Sequence, residues 1–180
     1  MKNRNNGRQR PFLVAAMAGA LWLSASAQGF AQPAGCTLIA DDRNPTEKIL
    51  RCGDTLTIRS AANTRYRLTG QKGQEAPTGV RLDSGALMIE FTPNERQKNF
   101  QILTPHAIAA VRGTRWAVEV ERGQTSTLVL SGAVAVSSPR ARGVLLTPGE
   151  GADVTAATRT IEVKRWGQKR VDALLARFGQ

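Results

Sequence analysis

Apolar and polar residues alternate with a period of two in several stretches of the chain. Leu56 and Ile58 alternate with Thr55, Thr57 and Arg59. Leu87, Ile89 and Phe91 alternate with Met88 and Glu90. Trp116, Val118 and Val120 point one way if extended, with Arg115, Glu119 and Glu121 opposite. Val134 and Val136 repeat the scheme, and Val144 to Leu146 is a further short apolar run. Such alternation predicts half-buried strands. Gly, Pro and polar clusters separate them, among them Leu68 to Gly73 and Ser137 to Arg140, so the pattern predicts an all-β domain of short strands. Helical periodicity is confined to the end. From Arg165 to Phe178, the residues Val171, Leu174, Leu175 and Phe178 fall at i, i+3, i+4 and i+7, with Gly179 as a stop and Trp166 joining that face or anchoring its entry.

The glycines add weak internal repetition. Ser84-Gly85-Ala86 precedes the strand at Leu87, and Ser131-Gly132-Ala133 precedes the strand at Val134. Gly113, Gly132 and Gly149 are spaced by 19 and 17 residues, which suits the coil length of a β-solenoid or roll. Unrelated hairpin turns in a sandwich recruit Gly equally well. Periodicity alone leaves both architectures open.

Charge becomes informative once the N-terminus is set apart. Lys2, Arg4, Arg8 and Arg10 form a positive region, Phe12 to Leu23 an apolar run, and Ser24 to Ala31 a small, polar stretch. This is the layout of a secretory signal, with cleavage expected after Ala27 or Ala31. The run is shorter than the ~20 apolar residues of a spanning helix, so no membrane span is expected. Ala34-Gly35-Cys36 has the end of a lipobox, but Pro33 stands where Leu belongs. Of the formal charge of +11, four units lie in this signal, leaving about +7. The stretch from Arg159 to Gln180 alone accounts for +4, counting Arg159, Lys164, Arg165, Lys169, Arg170 and Arg177 against Glu162 and Asp172. A surplus held in a tail of an exported protein argues against a nucleic-acid partner. It fits a solubilising surface, or attraction to anionic envelope polymers or headgroups. Export places Cys36 and Cys52 in an oxidising compartment, where an even pair bridges. They enclose the turn Asp41 to Pro45, and closing such a loop contributes ~3 kcal/mol on the chain-entropy view. Redox-active pairs favour the much closer CxxC spacing.

The stretch Ile102-Leu103-Thr104-Pro105-His106-Ala107, followed by Ala110-Val111-Arg112-Gly113-Thr114-Arg115-Trp116-Ala117-Val118, resembles the core of the FecR domain. A strand pair follows at Thr127 to Val136, around Gly132, and an "L-x-x-G" element at Leu146-Thr147-Pro148-Gly149. The resemblance covers about residues 80 to 154. It implies an all-β, solenoid-like or rolled antiparallel domain that serves extracytoplasmic sensing or interaction without catalysis. Complete regulators of this kind also carry a cytoplasmic sigma-factor-binding segment and a membrane span, and relay iron-uptake signals. Neither part is matched here, so those activities are not carried over. The expected organisation is a signal peptide over 1–31, a disulfide-closed β segment over 32–79, the FecR-like domain over 80–154 and a basic amphipathic helix over 155–180.

Candidate sites are few. Arg112-Gly113-Thr114 reads as a tight corner, with the Thr hydroxyl satisfying nearby backbone, or as an anion site through the Arg112 fork. Lys164, Arg165, Lys169 and Arg170 form a second candidate surface for an anion or partner. His106 is expected as an exposed turn residue rather than a ligand or base. As the single His, it excludes metal chemistry that needs two. No GxSxG elbow exists, Gly149-Glu150-Gly151 lacks a phosphate-loop context, and Asp41-Asp42 lacks calcium-loop spacing. No catalytic residue, metal or cofactor is therefore expected, although two glycosidase carboxylates could stand among the acids. The expected partner is another envelope protein or an envelope polymer, the latter bound through the basic tail. A small hydrolase is a third, separate possibility.

Overall fold

A computed structural model of the chain describes residues 35–41, 44–70 and 76–180. The export segment expected over 1–31 and part of the turn expected at 41–45 lie outside the described residues.

Among the described residues, thirteen strands form one continuous curled sheet. In chain order they are β1 (Cys36–Asp41), β2 (Asn44–Cys52), β3 (Leu56–Ser60), β4 (Arg65–Thr69), β5 (Gly79–Phe91), β6 (Phe100–Leu103) and β7 (Ile108–Val111). There follow β8 (Thr114–Glu121), β9 (Gln124–Ser131), β10 (Val134–Ser138), β11 (Ala141–Leu146), β12 (Glu150–Thr155) and β13 (Lys164–Arg165). The long strand β5 organises them. Its second half pairs with β3 and β8, in a first layer that runs β1-β2-β3-β5-β8-β9-β12-β13. Its first half pairs with β4 and β6, in a second layer that runs β4-β5-β6-β7-β10-β11. All pairings are antiparallel except β5 with β6. The roll therefore shares regular corners with a solenoid but not its parallel stacking, and the likeness to a solenoid is loose.

The chain passes between the layers six times, and all but the passage from β5 to β6 carry a left-handed residue: Asn63, Gly85, Gly113, Gly132 and Gly149. The glycines picked out by spacing are thus layer crossings. Within β5 the bend at Gly85 is braced from the neighbouring crossing. The Thr64 hydroxyl donates to the Ala86 carbonyl at 3.1 Å and accepts from its N–H at 3.1 Å, standing in for a ladder bond.

Curling closes the inner faces of both layers on one core. Leu56, Ile58, Leu87, Ile89, Trp116 and Val118 come from the first layer, and Val80, Leu82, Ile102, Val111, Val134 and Leu146 from the second. These residues are almost completely buried. Each is worth roughly 1.5–3 kcal/mol of burial, so the alternation that predicts the strands also makes the core. The disulfide Cys36–Cys52 joins the directly opposed ends of β1 and β2, with an S–S distance of 2.02 Å. It belongs to the same core, because β3 couples this hairpin to β5.

The C-terminus departs from the expected helix. Lys164 and Arg165 pair with Glu150 and Gly151 as β13, so the helix begins later. Helix α1 spans Gln168–Leu175 and continues as a 3-10 turn, Ala176–Phe178, ending at Gly179 with φ +67°. Helical periodicity could not reveal that the segment first completes the edge of the sheet through backbone bonds. Trp166, Leu174 and Phe178 pack on Ala61, Ala86, Met88, Ala117 and Leu128, the outer face of the first layer. The helix therefore docks, over a sheet face rather than a sheet end.

Candidate functional site

The Arg112-Gly113-Thr114 segment joins β7 to β8 at a crossing. Gly113 has φ +69°. The Thr114 hydroxyl donates to the Ala133 carbonyl at 3.1 Å, tying this crossing to the one between β9 and β10. A Cβ on Gly132 would lie 2.4 Å from the Gly113 carbonyl oxygen, so the two crossings stack backbone on backbone. Val111 and Trp116 flank the segment in the core, and Trp116 meets Phe100 edge-on at 6.2 Å between centroids. Arg112 itself is exposed, and among the described residues it makes no ion pair or side-chain hydrogen bond. Gly113 and Thr114 thus build the corner, and the Arg112 guanidinium projects into solvent.

The Thr104-Pro105-His106-Ala107 turn between β6 and β7 is held by the Thr104 hydroxyl. It donates to the Ala107 carbonyl and accepts from the Ala107 N–H, each at 2.8 Å. His106 is half-buried rather than exposed: its Nδ1 lies 3.1 Å from the Thr125 hydroxyl, which donates to Thr104 Oγ1 at 2.9 Å. Thr125 is 1% exposed, which puts this hydroxyl out of a substrate's reach. The chain of hydroxyls pins the turn to β9. Among the described residues no three His, Cys, Asp or Glu side chains gather into a metal site.

The basic C-terminal residues have unequal situations. Arg170 lies with its guanidinium carbon 3.5 Å from the centre of the Trp166 ring and grips Asp153 through both nitrogens, at 2.9 and 2.6 Å. Burial opposes the charge on Asp153. Hydrogen bonds from Arg170 and Ser126, with the Arg170 and Lys164 charges, nonetheless hold its carboxyl below the ordinary range. Arg177 bonds Glu119 and lies 3.1 Å from Glu121. Lys164 pairs with Glu162 at 2.6 Å, both exposed. Arg165 lies over Gly149 beside Glu150, whose carboxyl is held low by the Thr147 N–H and hydroxyl. Lys169 is exposed and makes no ion pair among the described residues. A cleft of about 230 Å³ opens beside this cluster, lined by Asp153, Thr158, Thr160, Glu162, Lys164 and Trp166. The acid partners Asp153 and Glu119 were missed by sequence reasoning. Glu119 was read only as a solvent-facing residue, and β12, which carries Asp153, has Ala152 and Val154 as its apolar positions, too few to stand out as alternation.

A curled antiparallel sheet with stacked glycine crossings and a helix docked on one outer face defines a class of all-β modules. The chain matches the family profile described as FecR protein over residues 46–135, half its length, and it belongs to that family. Two crystal structures from Parabacteroides distasonis, of a protein proposed as an anti-sigma factor, have the same fold. The 1.65 Å structure is 19% identical with a TM-score of 0.56, and the 2.50 Å structure is 21% identical with a TM-score of 0.59. The alignments cover 81% and 78% of this chain but 63% and 64% of those proteins, so it spans less than two thirds of their length. No curated protein sequence matches the chain.

Proposed function

We propose that this FecR-domain protein is a non-enzymatic periplasmic module that binds another envelope protein and takes part in envelope or metal-responsive signalling. The observation that carries the reading is the family match over residues 46–135, together with the corner role of its motif residues, which leaves outward-facing side chains for recognition. The signal layout supports export, and the disulfide agrees with an oxidising compartment. Among the described residues no helix is long and apolar enough to cross a membrane. The alternative, binding an anionic envelope polymer through the tail, rests on fewer unengaged charges than the sequence suggests. Arg170, Arg177 and Lys164 are held by acids of the protein itself. Two measurements test the proposal. Osmotic shock should release the protein with periplasmic markers. Deleting its gene should alter transcription of envelope or metal-uptake genes under metal limitation. Retention in the cytoplasm, or an unchanged transcript profile, sinks it.

A further inference from the structure

The two outer faces of the roll are treated differently. The first layer's is covered by α1, seated where Ala61, Ala86 and Ala117 let a helix approach closely. Acids of that layer engage the helix's arginines, Asp153 with Arg170 and Glu119 with Arg177. The second layer's outer face has no such cover among the described residues. Strand register sets its outward residues in rows across the strands. Arg67, Arg81, Leu103 and Ile108 form one row. Gln101, Ala110, Ala135 and Leu145 form the next. Leu145 is 61% exposed and Ile108 41%, though each sits within a regular strand.

Arginine dominates the charge on this layer. Strands β4, β6, β7, β10 and β11, the first half of β5 and the β10–β11 turn carry Arg65, Arg67, Arg81, Arg140 and Arg142 against one acid among the described residues, Asp83. Asp83 lies between Arg67 and Arg81, at 3.3 and 3.2 Å, and leaves that corner positive. The face thus repeats the small and aliphatic seat found under α1, with the polarity of its rim reversed.

We propose that the outer face of the second layer docks an amphipathic helix of a partner protein, with its apolar side on Leu103, Ile108, Ala135 and Leu145 and an acidic flank against Arg67 and Arg81. This rests on the reading of the chain as an interaction module and names the surface and the partner chemistry. The dimensions agree. Strands lie about 4.8 Å apart, so β6 to β11 spans roughly 15 Å, and a helix with its side chains is about 10–12 Å across. Its flank then lies one strand from Arg81. Helix α1 of a second copy is a poor occupant, because Lys169, Arg170 and Arg177 would meet arginines. An anionic polymer would satisfy the rim but leave the two exposed aliphatics unused.

The test replaces Ile108, Leu145 or, on α1, Lys169 with benzoylphenylalanine in the living cell and identifies the crosslinked segment by mass spectrometry. Crosslinks from 108 and 145 to an acidic helical segment of another protein support the proposal. Crosslinks from 169 alone leave the interaction reading standing and overturn this surface. Capture of a lipid, a glycan or a second copy overturns it as well. Absence of crosslinks from all three positions sinks both readings. In solution, a synthetic helix with a Leu/Ala face and Glu flanks should bind the purified protein, weaken with salt and shift amides of β7, β10 and β11. Leu145→Glu and Arg81→Glu, folded as judged by an unchanged melting temperature, should each weaken it at least tenfold. Equal binding of the Lys-flanked counterpart, or binding indifferent to Leu145→Glu, overturns the proposal.

Discussion

Phe178→Ala probes how far the C-terminal helix supports the sheet. The Phe178 side chain is 1% exposed and packs, with Leu174 and Trp166, on alanines of the first layer. Truncating a buried Phe costs about 3–5 kcal/mol when the site cannot relax. Here the segment lies near the chain terminus and can lift away, so the loss is bounded by the free energy of docking, and about 2–4 kcal/mol is expected. For a domain of roughly 150 residues that is a fall in melting temperature of about 4–16 °C. Urea unfolding followed by tryptophan fluorescence measures it, since Trp166 reports the helix and Trp116 the core. A Trp166→Phe background isolates the core signal. Coincident transitions in the parent, both moved to lower urea by Phe178→Ala, show that helix and sheet unfold together. The lifted helix also uncovers Ala86, Met88 and Ala117, so the variant should associate more readily by light scattering. A core transition unmoved within about 0.5 kcal/mol, or amides of 168–178 that exchange freely in the parent, would refute the reasoning.

Other outcomes follow from the same geometry. Non-reduced protein should have an intact mass two hydrogens below the reduced form, and Cys52→Ser should cost ~2–5 kcal/mol; free alkylation of both thiols without reduction would contradict the bridge. Gly132→Ala should destabilise well beyond Gly123→Ala. Both have positive φ, costing about 1–2 kcal/mol, but the added Cβ meets the Gly113 carbonyl oxygen in one case and nothing within 4 Å in the other. Equal midpoints in chemical denaturation would remove the stacked-corner account. Asp153 has its pKa depressed in the fold, so its contribution is fully present above the unfolded carboxylate value of about 4 and fades as pH falls through the lower native value. The stability gap between parent and Asp153→Asn should therefore close in acid, and a gap that widened there would reverse the sign of this linkage.

Much of the scaffold was legible because its physics is local. Period-two runs at Leu56, Leu87, Trp116, Val134 and Val144 lie in β3, β5, β8, β10 and β11, and the repeated glycines fall at layer crossings. What escaped depended on pairing at a distance. The first half of β5 was not read as strand, because Val80 and Leu82 alternate with Arg81 and Asp83 for only two periods before Ser84-Gly85, which reads as a turn. Lys164 and Arg165 look helical beside Val171 and Leu174, and only the edge of β12 makes them a strand. His106 looked solvent-facing because its partner Thr125 is 19 residues away. The basic tail was legible as composition, whereas its acids on β8 and β12 could be recognised only once those strands lay beneath the helix.

The position of the Val111-to-Thr114 signature has a consequence for specificity. It sits at a bend shared by both layers, with the Thr114 hydroxyl bonded to another bend and the Gly113 carbonyl packed against it. Such a motif specifies how the ribbon folds over, while the alternate side chains that point away from the core remain free to differ. On the docking surface proposed above, partner choice would then be rewritten one outward residue at a time without disturbing the bends. Grafting the outward row of β6, β7, β10 and β11 from one such protein onto another should transplant recognition while leaving the melting curve of the recipient in place.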